Sequence, residues 1–367
     1  MRDLAVPGFE RVVLGSDPAC GYRGIVAIHS TALGQAVGGT RVWRYPRLKD
    51  ALADALRLAR GMTYKNAAAG LPLGGGKSVI LQQPGSRNRD DVLLAHARLV
   101  DALGGRYVAA EDVGTTPADM RVMRGVTEHV AGLDDGSGDP SPWTARGVLR
   151  AMQACVRFRH GSDELAGRTV ALQGCGNVGG VLAREVHRLG ATLVVSDLDD
   201  VRARRVAEET GARVVPPAEI HAVDAHIFAP CALGGVLNAR TIPQLRAGIV
   251  VGAANNQLAT EDDGERLHAR GVVYAPDFIA NAGGVINGCR ELAGWDAERS
   301  RRAIDAIGER VLQLLEDAAA RGVPTAAAAD RLVEERLRLN AGRPSTVPAN
   351  SRVLRPPTSS GSSSRSG

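Results

Sequence analysis

Lysine is nearly absent from this 367-residue sequence: 42 arginines stand against three lysines, Lys49, Lys65 and Lys77. Aromatic residues make up only 3% of the chain, too few for the stacking platforms that bind single-stranded nucleic acid. No stretch approaches the roughly 20 consecutive apolar residues that span a bilayer. The start, MRDLAVPGFERV, lacks the apolar run of a secretory leader, so neither export nor a membrane partner is expected. Cysteine is scarce: Cys20, Cys155, Cys175, Cys231 and Cys289 are odd in number and scattered, with no CxxC. That pattern fits reduced thiols in a cytoplasmic protein and gives no reason to expect a metal site.

The remaining composition is that of a globular chain, 44% hydrophobic and 23% charged, long enough for two domains and a sizeable core. It excludes a disordered or fibrous protein. The net charge of +5 is modest, and residues 341–367 supply four arginines and no acid, so the rest carries about +1. Elsewhere arginine often neighbours an acid, as in Arg89-Asp90 and Glu335-Arg336, and no basic stripe for nucleic acid emerges.

Along the chain, Gly24–Ile28 reads as a buried strand and Gly38-Gly39-Thr40-Arg41 as a Gly-rich turn. Leu52, Ala55, Leu56, Ala59 and Met62 share one face of a helix that runs into Lys65. The stretch from Gly70 to Lys77 cannot be helical, and a strand is expected over Ser78–Leu81. A helix over Val92–Leu103 and a strand over Tyr107–Ala110 lead to Glu111-Asp112. The breaker cluster Asp134–Pro142 is the expected hinge. Beyond it strands and helices alternate, which predicts a parallel sheet wound with helices. The fold class is therefore α/β, with two domains around a cleft. The first, residues 1–135, would carry substrate and catalysis; residues 136–314 would form a Rossmann dinucleotide-binding domain. A last helix over about 315–340 would pack back on the first domain, and residues 341–367, rich in Pro, Ser and Gly, would be a disordered tail.

Gly174-Cys175-Gly176-Asn177-Val178-Gly179 follows a predicted strand and opens a predicted helix. Gly174 suits the tight turn, Gly176 the approach of a pyrophosphate, and Gly179 the close packing of helix on strand. The free N–H groups and dipole of the helix N-terminus then favour phosphate. Asp197 ends the next strand, 23 residues after Gly174, where a carboxylate accepts ribose hydroxyls and repels a 2′-phosphate, so NAD is favoured over NADP. Arg202 and Arg204 follow closely and read as solvated helix charges.

The scarcity of lysine singles out Lys65 and Lys77, twelve residues apart around the Gly74-Gly75-Gly76 run. Arginine stays protonated, whereas a desolvated lysine can lose its proton near neutral pH and act as a base. Lys49, at the start of an amphipathic helix, reads as a solvated charge.

These residues sit within a set of motifs that resembles the glutamate/leucine/phenylalanine/valine dehydrogenase superfamily: GGTRVWRY, GMTYKNAAAGLPLGGGKSVI, YVAAEDVGTTPADM, GDPSPWTARGV, QGCGNVGG, APCALGG, GAANNQL and APDFIANAGGVIN, in order from about Gly24 to Arg336. The match is closest to its leucine, valine and phenylalanine branch. The resemblance implies NAD-dependent oxidative deamination of an L-amino acid to the 2-oxo acid and ammonia, the reverse amination, and a homo-oligomer. It implies that Lys65 binds the substrate carboxylate, that Lys77 is the general base, and that Asp112 handles the amino group. Glu111 is the rival to Asp112, but adjacent side chains on extended backbone point to opposite faces. Asn255 and Gly39 would lie against substrate. Thr144, Arg41, Cys231, Ala232 and Asn281 would lie on the cofactor side, with Cys231 packing beneath the cofactor and not acting as a nucleophile.

Glutamate enzymes of this superfamily carry a lysine where this chain has Val37, and an apolar wall cannot compensate a buried carboxylate. The substrate side chain is expected to be apolar, facing Val37, Val285 and Gly288. Leucine enzymes place Leu and Val where this chain has Val37 and Gly288, so the pocket gains volume and leans toward a bulkier side chain. One methylene discriminates by only about 1–3 kcal/mol, which leaves leucine, valine, isoleucine, phenylalanine and tryptophan open. The rival readings are a catalytically silent NAD-binding regulator, a glutamate dehydrogenase and an unrelated Rossmann reductase.

Overall fold

Two six-stranded sheets follow one another along the chain in the computed structural model, which describes residues 1–82, 88–133 and 136–340. The expected tail at 341–367 and Asp134-Asp135 of the expected hinge lie outside the described residues.

The first sheet is built from β1 (Arg2–Leu4), β2 (Arg11–Asp17), β3 (Tyr22–Ser30), β4 (Ala36–Trp43), β5 (Gly74–Leu81) and β6 (Tyr107–Glu111), in the order β1-β2-β3-β5-β4-β6. β1, β2, β3 and β5 pair antiparallel; β5, β4 and β6 pair parallel. Helices α1 (Leu48–Ala69), α2 (Arg89–Asp101) and α3 (Pro117–Arg124) connect and flank these strands.

Two expectations change here. Gly38–Arg41 is not a turn but the middle of β4, and β5 begins at Gly74, so all three glycines and Lys77 are strand residues. Their lack of side chains is what lets this layer close. A Cβ on Gly75 would fall 2.0 Å from the Thr63 backbone nitrogen, and one on Gly38 would fall 1.8 Å from the Gly76 carbonyl oxygen. The same close approach rotates α1. Its buried stripe is Ala51, Ala55, Ala59 and Thr63, with Leu52 and Leu56 only partly covered, because small residues alone allow the helix to lie on a glycine strand.

After α4 (Ser141–His160) comes the second sheet: β7 (Thr169–Gln173), β8 (Thr192–Ser196), β9 (Arg213–Val214), β10 (Ile227–Pro230), β11 (Ile249–Val250) and β12 (Val273–Tyr274). It is wholly parallel, in the order β12-β11-β10-β7-β8-β9. Helices α5 (Asn177–Arg188), α6 (Asp200–Thr210) and α7 (Asp262–Ala269) belong to it. The strand order reverses between β7 and β10, and in such sheets ligands bind at that switch point, beyond the carboxyl ends of the strands.

The chain closes with α8 (Asp277–Ala280), α9 (Gly283–Leu292), α10 (Ala297–Asp305), α11 (Ile307–Arg321) and α12 (Thr325–Asn340). α12 returns to pack on α1, and Glu334 accepts the Tyr64 hydroxyl at 3.2 Å. One apolar cluster runs through both halves, from Val37 and Leu71 through Met152 to Ile286 and Leu315. Among the described residues no helix is long and apolar enough to cross a membrane.

Candidate active site

The register of β4, β5 and β6 assembles the charged centre. Gly39 pairs with Ala110 of β6, while Thr40 pairs with Ser78 of β5, so Gly39 lies between Lys77 and the residues leading to Asp112. A Cβ on Gly39 would stand 2.6 Å from Asp112 Cβ and 3.1 Å from Lys77 Nζ, so only glycine fits. Lys77 and Gly75 share the face of β5 that meets α1, because side chains alternate along a strand. Lys77 is 5% exposed, and its Nζ lies 2.9 Å from Asp112 Oδ2. Burial pushes the Lys77 ammonium below the ordinary lysine value, with Asp112 opposing and Arg41 reinforcing the fall. Burial alone would raise Asp112, but Lys77 and Arg41 outweigh it and hold the carboxyl below its ordinary value. Glu111 is exposed, on the other side of the chain from this pair.

Lys65, on α1, points elsewhere. Its Nζ donates to Asn255 Oδ1 at 2.8 Å, linking the two halves of the chain. Burial pushes Lys65 down to about 8, Asp277 opposing and Lys77 adding to the shift, so the two lysines sense each other. Asn281 Nδ2 also donates to Asn255 Oδ1, at 2.9 Å, and to the Ala253 carbonyl at 3.0 Å. Asn281 Oδ1 is buried and has no partner among the described residues, an acceptor suited to an amide donor such as a nicotinamide carboxamide.

Two carboxylates that sequence reasoning passed over belong here. Asp277 accepts the Asn256 N–H at 2.7 Å and holds that residue at φ +52°, which shapes the loop presenting Asn255. Asp54 binds Arg41. Arg41, expected on the cofactor side, donates Nε to Asp112 Oδ2 and Nη1 to Asp54 Oδ2, both at 2.9 Å. Asp54 lies on α1 three residues before Arg57, and Asp277 opens α8; neither pattern signals a site without the fold.

The expected pocket wall is spread over two elements. Val37 is buried in β4, while Val285 and Gly288 are half-buried on α9, where a Cβ on Gly288 would touch only Leu292 Cδ1 at 3.7 Å.

At the switch point of the second sheet, Gly174 adopts φ +99° and its missing Cβ leaves space for Ala232, whose nitrogen would otherwise stand 2.8 Å away. Gly179 abuts the Gly174 carbonyl, where a Cβ would fall at 1.9 Å. At Gly176 a Cβ would meet only Arg202 Nη1 at 3.9 Å, which leaves an open cradle before the first turn of α5, at Asn177 and Val178. Asp197 accepts the N–H groups of Cys175 (2.6 Å) and Asp199 (2.8 Å), which fixes its carboxylate at the end of β8. Arg202 pairs with Asp199 at 3.2 Å. Cys231 donates its N–H to the Gln173 carbonyl at 2.7 Å, and burial pushes its thiol, like that of Cys175, up to about 12, so neither is a thiolate at neutral pH. The Thr144 hydroxyl donates to the Pro140 carbonyl at 2.9 Å and lies against Gly284, where α4 meets α9. The open cradle, the helix start and the unpartnered Asn281 oxygen together fit a nicotinamide dinucleotide.

A parallel sheet with a dinucleotide cradle, joined across an amide–lysine contact to a sheet bearing a buried lysine–carboxylate pair, defines a two-domain dehydrogenase. Residues 10–129 match the family described as Glu/Leu/Phe/Val dehydrogenase, dimerisation domain, and residues 136–201 and 195–336 match Glutamate/Leucine/Phenylalanine/Valine dehydrogenase. The chain belongs to this family of NAD(P)-dependent oxidoreductases, which act on the CH–NH2 group of amino acids. It is 47% identical to a leucine dehydrogenase of Bacillus subtilis over 90% of this chain and 91% of that one. It is 44% identical to a valine dehydrogenase of Streptomyces albus, over 90% and 92%. The crystal structure of L-tryptophan dehydrogenase from Nostoc punctiforme superposes with a TM-score of 0.80 at 43% identity, covering 91% of this chain and 97% of that chain.

Proposed function

We propose that this chain is a cytoplasmic, homo-oligomeric, NAD-preferring dehydrogenase of L-amino acids with apolar side chains, with residues 1–135 and 136–314 closing as two domains about residues 136–144. The observation that carries it is the buried Lys77–Asp112 pair, closed in by Gly39, on the same side of the first sheet as Lys65. The overall change converts an L-amino acid, NAD⁺ and water into a 2-oxo acid, NADH, ammonium and a proton.

Lys65 binds the substrate carboxylate as a point charge, and Asn255 fixes its direction. A nicotinamide dinucleotide held by the Gly174–Gly179 cradle and Asn281 would supply the acceptor for the Cα hydride, which turns the substrate amine into an imine. Lys77, as free amine, takes a proton from the water that adds to the imine carbon. Asp112, an anion at rest, takes a proton from the substrate ammonium before the hydride leaves and returns it to the nitrogen after water has added. As the C–N bond breaks, the hydroxyl proton departs with the ammonia as ammonium, and Lys77 releases its proton to solvent. Positioned proton transfer of this kind contributes about 10²–10⁴ in rate.

The apolar preference rests on Val37, which offers no charge to a second carboxylate, and the room beside Gly288 favours the larger members of the class. The NAD preference rests on Asp197, whose carboxylate is fixed at the end of β8, where it would accept ribose hydroxyls and repel a 2′-phosphate. Free cysteines throughout fit a reducing compartment, and the matched dimerisation domain supports an oligomer. NADH formation from a panel of L-amino acids at alkaline pH tests the reading. Turnover of leucine, valine, isoleucine, phenylalanine or tryptophan above glutamate, faster with NAD than NADP, is expected. No turnover with any of them would leave only a silent dinucleotide binder.

A further inference from the structure

We infer that Arg41 is a positioning residue of the proton-transfer pair: anchored by Asp54, it pins Asp112 through one oxygen and gives that carboxylate a second, permanent cation besides Lys77. The inference rests on the reading of Lys77 as the base and Asp112 as its partner.

The geometry is a continuous chain of bonds. Asp112 Oδ2 receives both Lys77 Nζ and Arg41 Nε at 2.9 Å, and Arg41 Nη1 reaches Asp54 Oδ2 at 2.9 Å. That same Asp54 oxygen accepts the Tyr45 hydroxyl at 2.6 Å, while Oδ1 takes Arg57 Nη2 at 2.9 Å. The side chains of Arg41, Asp54 and Asp112 are only 17–21% exposed, so this is no solvent-screened surface pair. Asp54 and Lys65 are eleven residues apart on α1, which at 3.6 residues per turn places them on one helix face. The helix that carries the substrate-binding lysine thus also carries the anchor.

The consequence concerns charge. A base must shed its proton to act, and when Lys77 does so Asp112 loses that counter-charge. With Arg41 in place the anion remains compensated, and its two bonded neighbours fix the carboxylate so that Oδ1 is left for the substrate nitrogen. Without Arg41, deprotonation of Lys77 would strand a half-buried carboxylate, so Lys77 would hold its proton more tightly. Asp54 acts with the opposite sign: its negative charge favours the Lys77 ammonium, and removing it leaves Arg41 charged and uncompensated. Only a fork with two edges spans both acids, which a lysine cannot do.

The test is the pH profile of kcat/KM for the best amino-acid substrate, measured on the full-length protein with thermal melts as a check of folding. Arg41→Gln is expected to shift the rising limb by about one unit to higher pH, as loss of a neighbouring cation should. Arg41→Lys should recover part of that shift. Asp54→Asn should move the limb the other way, to lower pH. Profiles that keep the wild-type midpoint and lose only height would overturn the inference, as would shifts of the same sign in both variants. If Arg41→Gln fails to fold, the direction of the Asp54→Asn shift decides alone. Absence of amino-acid turnover in the unaltered protein would instead count against the underlying reading.

Discussion

At the scale of single residues, the site depends on what two side chains are and on what one lacks. Lys77→Arg keeps a cation beside Asp112 but cannot supply a free amine, because guanidinium stays protonated. The expected result is a protein with a near-unchanged melting curve and kcat lowered at least about a hundredfold at every pH. Retention of more than a tenth of the activity would remove Lys77 from the role of base. Gly39→Ala adds a methyl where Asp112 Cβ stands 2.6 Å away and the Glu111 carbonyl 2.8 Å away. It should displace Asp112 from Lys77 and lower kcat by about 10²-fold, the usual result of an ångström-scale misplacement. NADH binding, followed by fluorescence, should be unaffected, since the methyl lies far in sequence and element from the α5 cradle. Lys65, Lys77 and the Gly174–Gly179 loop were legible from residue type and spacing. Asp54 and Asp277 were not, because an acid on a helix surface looks the same whether its partner is water or a residue brought in by the fold.

At the scale of elements, the contact of α12 with α1 gathers charges that no local pattern predicts. Burial pushes Asp330 up to about 6, with Glu334, Glu261 and Asp277 adding to the rise and Arg60 opposing it. A carboxyl whose folded value lies above its unfolded one favours the protonated protein, so its cost appears as pH rises from about 4 and is complete above about 6. Asp330→Asn should therefore melt higher than the parent at pH 7, with the gap closing toward pH 4; a gap that persists at pH 4 would refute the argument. The glycine elements teach a related point. Gly38–Arg41 and Gly74–Gly76 look like turns in sequence because glycine breaks regular structure. They are strand interiors because α1 and neighbouring strands approach too closely for any Cβ. A conformational signal and a packing signal use the same residue, and sequence alone does not separate them.

At the scale of the whole molecule, the polar links between the halves include Lys65 to Asn255, backed by Asn281, and the Gly132 N–H to the Glu291 carboxylate. Asn255→Ala removes the acceptor shared by both donors and should loosen the cleft. Small-angle scattering with NADH and an apolar 2-oxo acid should show the parent protein compacting and the variant doing so less; equal compaction in both would argue that closure rests on other contacts. The α/β alternation of residues 169–274, the dinucleotide loop and its acid were determined by the sequence, because strand–turn–helix chemistry is local and leaves a periodic trace. The alternation of an extended chain allows only one of Glu111 and Asp112 to face Lys77, and the register of β6 makes it Asp112. Only the tertiary structure decided that Arg41 bonds to both Asp112 and Asp54 and that three glycines lie within a strand. Those facts are set by register across β4, β5 and β6 and by the depth at which α1 rests on them, and both are distances between segments remote in the chain.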